Sequence, residues 1–169
     1  MTRSRPRGLA LGAGPLVVLA LATLNACTTR MEPMNRSDLI DLATRYAAAW
    51  SGQDPEALAS FYTEDGSLRV NDGDPAIGRD AIAAKAGSFM EAFPDMVVKV
   101  DSVRREGDRV IFSWIWTGTN TGPGGTGRSV RITGHEAWTL SSGGLIAASD
   151  GHYDEAEYQR QVSGDGDSG

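Results

Sequence analysis

The hydrophobic period of this chain changes once, from about 3.6 residues to two, and the change falls near Met96. Before it, Leu39, Leu42, Ala43, Tyr46 and Trp50 recur at three- and four-residue spacing. Ser37 is placed to cap that helix and Gly52 to end it. Asp54-Pro55 starts a second, short helix through Leu58 and Phe61, because a first helical turn needs no N–H from Pro. Ile82, Ala86, Phe89, Met90 and Phe93 form a third stripe that stops at Pro94. After the change, Met96, Val98 and Val100 alternate with Val97, Lys99 and Asp101, and Gly107-Asp108 turns the chain into a strand over Arg109–Thr119. Two more strands, Arg128 to Leu140 and Leu145 to about Tyr153, are joined by Ser141-Ser142-Gly143-Gly144. Three helices before any long strand, then strands linked by short turns, predict an α+β domain. In it the helices cover one face of a curved antiparallel sheet.

With 169 residues and 40% hydrophobic side chains, the chain can build one sizeable core. Its 16 basic residues face 22 acidic ones, which argues against a nucleic-acid partner, since phosphate neutralisation needs clustered Lys and Arg. A single Cys excludes a disulfide-stapled scaffold.

The first thirty residues read as targeting. Arg3, Arg5 and Arg7 form a positive region, Leu16 to Leu24 a short apolar run, and Leu24-Asn25-Ala26-Cys27 a small-residue site before a Cys. A bilayer-spanning helix needs about twenty apolar residues, so this run does not cross one. The layout resembles a bacterial lipoprotein signal, with Leu24, Ala26 and Cys27 matching the lipobox and Asn25 departing from it. That resemblance implies residues 1–26 as signal peptide, Cys27 as the acylated residue, 27–36 as a tether, and an extracytoplasmic, membrane-anchored domain over 37–162. The tail 163–169 lacks apolar residues and reads as disordered. Cleavage removes three arginines and no acid, so 13 basic residues then face 22 acidic ones. A surface of that charge predicts no attraction to anionic lipid, leaving the acyl chains as the anchor.

Residues 37–162 also resemble the nuclear transport factor 2-like superfamily, within it the SnoaL-like polyketide and ester cyclases. The likeness rests on Arg45-Tyr46 with Trp50 and Gly52, Phe61-Tyr62-Thr63-Glu64-Asp65, Gly78-Arg79-Asp80-Ala81-Ile82, Phe93-Pro94-Asp95, Gly118-Thr119-Asn120-Thr121-Gly122, and Tyr153-Asp154 with Gln161. It implies a cone of three helices on a curved sheet around an apolar pocket, commonly as a homodimer. Such a fold serves isomerases, cyclases, hydrolases and binding modules alike, so chemistry has to come from the pocket.

Alternation puts Val130, Ile132, Gly134, Glu136, Trp138 and Leu140 on one face of the third strand, and this apolar face is expected to meet the pocket. Glu136 is then a carboxyl in apolar surroundings, where desolvation keeps it protonated as a donor; the alternative is that it pairs with a buried Tyr or Arg. The sequence is similar here to ketosteroid isomerases, whose oxyanion-hole Tyr falls on Tyr46 and whose protonated acid falls on Glu136. Two such donors on one oxygen stabilise a developing enolate. The isomerase base falls on Val70, which takes no proton; Asp72 is two residues on, within Asn71-Asp72-Gly73-Asp74-Pro75, which reads as a turn. In the cyclase branch the catalytic Asp falls on Gly151, the two His on Ser149 and Trp138, and the Gln on Glu136. Trp50, Val70, Phe89, Trp138, Ser149 and Gly151 are the expected pocket residues.

Gly122-Pro123-Gly124-Gly125-Thr126-Gly127 fits a dinucleotide pattern, but it links two strands and opens no helix, so it reads as a flexible loop at the mouth of the cone. His135 and His152 are too few for a zinc site, and no cofactor is expected. Trp114 and Trp116 share a face with Phe112, which suits core or dimer packing, with ligand stacking as the sharper alternative. The sequence thus predicts a lipid-anchored module that holds a small hydrophobic carbonyl, enol or phenol-like ligand between Tyr46 and Glu136. The alternative is a cyclase- or isomerase-type acid/base enzyme.

Overall fold

The computed structural model describes residues 34–164. The element order is α1 (Arg36–Ser51), α2 (Pro55–Ala59), β1 (Tyr62–Val70), β2 (Ala76–Ile77), α3 (Arg79–Ala92), β3 (Val97–Glu106), β4 (Arg109–Thr119), β5 (Ser129–Leu140), β6 (Ile146–Tyr153) and α4 (Glu155–Ser163). Helices α1 to α3 pack on a curved six-stranded sheet of order β2-β1-β6-β5-β4-β3. The expected α+β architecture is present. Among the described residues no helix is long and apolar enough to cross a membrane.

Several elements depart from the sequence reading. A nine-residue strand, β1, stands between α2 and α3, so a long strand precedes the third helix. It runs parallel to β6, pairing Leu68 with Ser149 and Val70 with Gly151, which makes the sheet mixed rather than antiparallel. Asn35, not Ser37, caps α1: its side chain accepts from the backbone N–H groups of Ser37 and Asp38, while Asp38 reaches back to the Asn35 N–H. Phe61 lies beyond α2, and a fourth helix follows Asp154 and runs to Ser163, with Gly164 closing it at φ 79°. The tail beyond Gly164, the tether through residue 33 and the signal segment lie outside the described residues.

The expected hairpins β3–β4, β4–β5 and β5–β6 are antiparallel. The glycine-rich loop between β4 and β5 is pinned rather than free. Gly122 N–H and Asn120 Nδ2 both donate to the Ala92 carbonyl at the end of α3, and Asn120 Oδ1 accepts from Thr126 N–H. A side chain at Gly122 would run into the Glu91 carbonyl.

Two apolar clusters fill the interior. The larger joins α1, α2 and α3 to the sheet through Leu39, Leu42, Tyr46, Leu58, Tyr62, Ile82, Phe112 and Trp138. The smaller, at the other end of the sheet, joins Phe93, Met96, Trp116, Val130 and Ile132, with Tyr158 and Val162 of α4 lying against it. Helix α4 buries no residue of its own. The Gln161 side chain fastens it, accepting from the Arg131 N–H and donating to the Arg131 carbonyl.

Candidate functional site

Between these clusters lies a cavity of about 70 Å3. A single water needs roughly 10–15 Å3 by this measure, so the space takes a few waters or a compact organic molecule. Alternation along the strands decides its walls. Leu68 and Val70 of β1, Val98 of β3, Trp114 and Trp116 of β4, Glu136 of β5, and Gly151 and Tyr153 of β6 all point to the concave face, where Trp50 of α1, Phe89 of α3 and Met96 close it. Trp114 lies across β5 because its partner there is Gly134; a Cβ at that position would collide with the indole and with the His152 carbonyl. The two tryptophans thus wall a cavity as well as packing the core.

Glu136 supplies the carboxyl of this apolar enclosure and is 6% exposed. Its Oε2 accepts three hydrogen bonds: from Ser149 Oγ at 2.6 Å, Trp138 Nε1 at 2.9 Å and Tyr46 Oη at 2.9 Å. Tyr46 Oη is in turn 2.8 Å from Tyr62 Oη. Among the described residues none bonds to Oε1. Burial raises the Glu136 pKa, and the bonds from Ser149, Trp138 and Tyr46, which favour the charged form, offset this only in part. Burial also pushes the Tyr46 and Tyr62 phenols well above their ordinary value, with the Glu136 charge adding to it.

The residues singled out from the sequence separate into three groups. Trp50, Val70, Phe89, Gly151 and Glu136 line the cavity. Tyr46, Trp138 and Ser149 are fully or almost fully buried behind Glu136, and all three spend their donors on its Oε2. Tyr46 thus donates to Glu136 Oε2 and is not among the residues lining the cavity, whereas the isomerase likeness implied a second donor beside Glu136 on the ligand oxygen. Asp72 lies exposed in the turn after β1, where Asn71 takes a positive φ of 48°, and it does not reach the cavity. Tyr62 escaped the sequence reading because β1 did. Its signal was the Phe61-Tyr62 pair, one member of which had to face inward once a strand was recognised.

On the convex face, Asp150 bridges Arg69 and Arg109 at 2.8 and 2.7 Å. Burial pushes its carboxyl up, but hydrogen bonds and charge from Arg109 and Arg69 outweigh that and hold it below the usual range. His152 and His135 sit side by side there, both exposed, with ring centroids 5.4 Å apart. Among the described residues no three His, Cys, Asp or Glu side chains converge to hold a metal ion.

A search of curated proteins finds no significant match. Solved structures similar to this chain include one from Jannaschia sp. CCS1 described as a SnoaL-like polyketide cyclase, with TM-score 0.67 and 21% identity over 78% of this chain and 98% of the other. One from Xanthomonas campestris, described as a polyketide cyclase, has TM-score 0.62 and 24% identity over 76% and 99%. A hypothetical protein with ketosteroid isomerase-like fold from Catenulispora acidiphila, in complex with trimethylamine, has TM-score 0.65 and 21% identity over 73% and 92%. At these identities the likeness is one of fold, the nuclear transport factor 2-like and ketosteroid isomerase-like architecture. The SnoaL-like domain model matches residues 43–149, from the middle of α1 into β6, and the chain accordingly belongs to the SnoaL-like domain family.

Proposed function

We propose that this domain binds a compact, largely apolar molecule bearing one hydrogen-bond acceptor, of the carbonyl, enol or phenol class, in the cavity beside Glu136. The observation that carries this reading is the asymmetry of the carboxyl: three protein donors converge on Oε2, and none reaches Oε1. Trp138 Nε1 can only donate, so Oε2 acts as an acceptor, and the proton of the neutral acid belongs on Oε1. Burial favours that neutral form, and no Lys, Arg or His among the described residues lines the cavity to oppose it. The result is a protonated carboxyl in an aromatic enclosure, walled in part by Trp114 and Trp116, whose buried indole N–H groups have no partner among the described residues.

Binding is favoured over turnover because acid/base catalysis needs a second group able to exchange a proton. The other titratable side chain at the cavity is Tyr153, whose phenol is pushed far up by burial and by Glu155 and keeps its proton. The competing reading is a cyclase- or isomerase-type enzyme using Glu136. Ligand conversion abolished in Glu136→Gln would establish it.

The five aromatic side chains around one carboxyl favour a second ligand class, a small methylated ammonium ion, whose charge ring faces attract. The neighbour solved with trimethylamine gives a precedent in this fold. A tryptophan-fluorescence titration across pH separates the two. Binding of a neutral ketone or phenol is expected to be lost as pH rises through the raised Glu136 pKa, and Glu136→Gln, which keeps a donor, is expected to bind at every pH. An ammonium ligand is expected to gain affinity over the same range and to lose it in Glu136→Gln. Neutral-ligand binding that ignores pH in the wild type would sink the donor assignment.

The same proposal places the domain outside the cytoplasm on a lipid at Cys27, as a homodimer. Intact mass of the membrane fraction tests the acylation, and light scattering of the purified chain tests the dimer.

A further inference from the structure

Three guanidinium groups, those of Arg36, Arg104 and Arg105, line one groove with Met34, Leu39 and Val103. All three arginines are exposed. The carboxylates nearest in sequence are engaged: Asp38 Oδ2 accepts the Asn35 N–H, and Glu106 pairs with Arg104 at 2.8 Å. Among the described residues no carboxylate pairs with Arg36 or Arg105. Arg36 is the first residue of α1, where the helix dipole is positive. A cation there gains nothing from the helix itself.

We propose that this groove is a landing surface for the headgroups of an anionic bilayer, the one to which Cys27 is attached. The inference rests on the lipid-anchor reading above. Seven peptide units separate Cys27 from Met34, a reach of at most about 25 Å, so an anchored domain keeps the groove within that distance of its lipid. Under such a tether the effective concentration is high, and a weak contact suffices to set orientation. The net acidity of the chain does not prevent this. Screening limits the interaction to about 8–10 Å, so only charges at the contact count. Asp72, Asp74 and Glu155 follow Val70 and Tyr153, which line the cavity, and Trp50 of that cavity stands about 21 Å along α1 from Arg36. The groove and the cavity thus lie toward opposite ends of α1.

The test uses the chain from residue 27 onward with Cys27→Ser, mixed with vesicles of phosphatidylcholine alone or with phosphatidylglycerol. Selective partition onto the anionic vesicles is expected, weakening with salt and falling about five-fold for each of Arg36→Gln and Arg105→Gln. Lys99→Gln and Arg128→Gln, outside the groove, are expected to leave it unchanged. Equal partition onto both vesicle types, or equal losses in the two control variants, overturns the inference. The anchor is tested apart from this by the mass of the wild-type chain: vesicle selectivity without acylation removes the anchor and leaves the headgroup surface standing. Acylation without vesicle selectivity removes the surface alone.

Discussion

Ser149 Oγ stands 2.6 Å from Glu136 Oε2, across the antiparallel pair β5–β6, and is the shortest of the three bonds that oxygen accepts. Because this bond favours the charged carboxylate, Ser149→Ala is expected to raise the Glu136 pKa further. Neutral-ligand binding then persists to higher pH than in the wild type. A pH titration of affinity reads the shift, and a midpoint that moves down would contradict the assignment. The lost bond is expected to cost about 1 kcal/mol of stability in denaturant unfolding.

Glu136 also links stability to pH. Its folded pKa lies above the unfolded one, so the native state holds the proton longer. Its contribution is fully present below about pH 4.5 and is lost as pH rises through the folded pKa. Glu136→Gln is expected to flatten that part of the stability–pH curve measured by urea unfolding. An unchanged slope would mean that the carboxyl is ionised in the native state.

Tyr46→Phe removes one donor from Oε2 and the partner of Tyr62 Oη, both in a fully buried setting. A loss of about 1–3 kcal/mol in stability is expected. If Tyr46 only holds the carboxyl, affinity at low pH changes little while its pH midpoint moves up. A large loss of affinity at low pH would instead put the phenol in contact with the ligand.

Gly151 is the β6 partner of Glu136 and lines the cavity. A Cβ there meets Glu136 Cγ at 3.6 Å and the Arg69 carbonyl at 3.3 Å. Gly151→Ala is expected to narrow the cavity beside Glu136 and to reduce ligand affinity several-fold with only a small loss of folding stability. Calorimetric binding compared with thermal unfolding tests this.

The elements that the period disclosed are those with a continuous apolar row: α1 and β3 to β6 lie within one or two residues of their expected bounds, and α3 starts three residues before its expected stripe. Strand β1 was hidden because Glu64-Asp65-Gly66 interrupts it, and its pairing shifts register between Tyr62 and Ser67. Its parallel partner is not legible locally, since the pairing joins segments about eighty residues apart. Helix α4 turns only Tyr158 and Val162 to the core, both partly buried, which is too short a row to stand out in the sequence. At the site, alternation placed Glu136 on the cavity face but said nothing of depth. Trp138 and Ser149 share that face, yet they sit behind the carboxyl and bond to it, because β5 and β6 continue past the end of the cavity into the closed core.

The parallel seam between β1 and β6 has a kinetic consequence. Arg69 and Asp150, which meet across it, are 81 residues apart, and closing so long a loop costs entropy before any contact repays it. Every antiparallel hairpin can form from neighbouring residues, whereas β1 has no strand but the two-residue β2 to pair with until β6 has been made. Ser149 and Gly151 lie on β6, so the enclosure around Glu136 is completed only once that strand has docked against β1. Folding of this domain is therefore expected to be slow for its size, with assembly of the pocket as its late event.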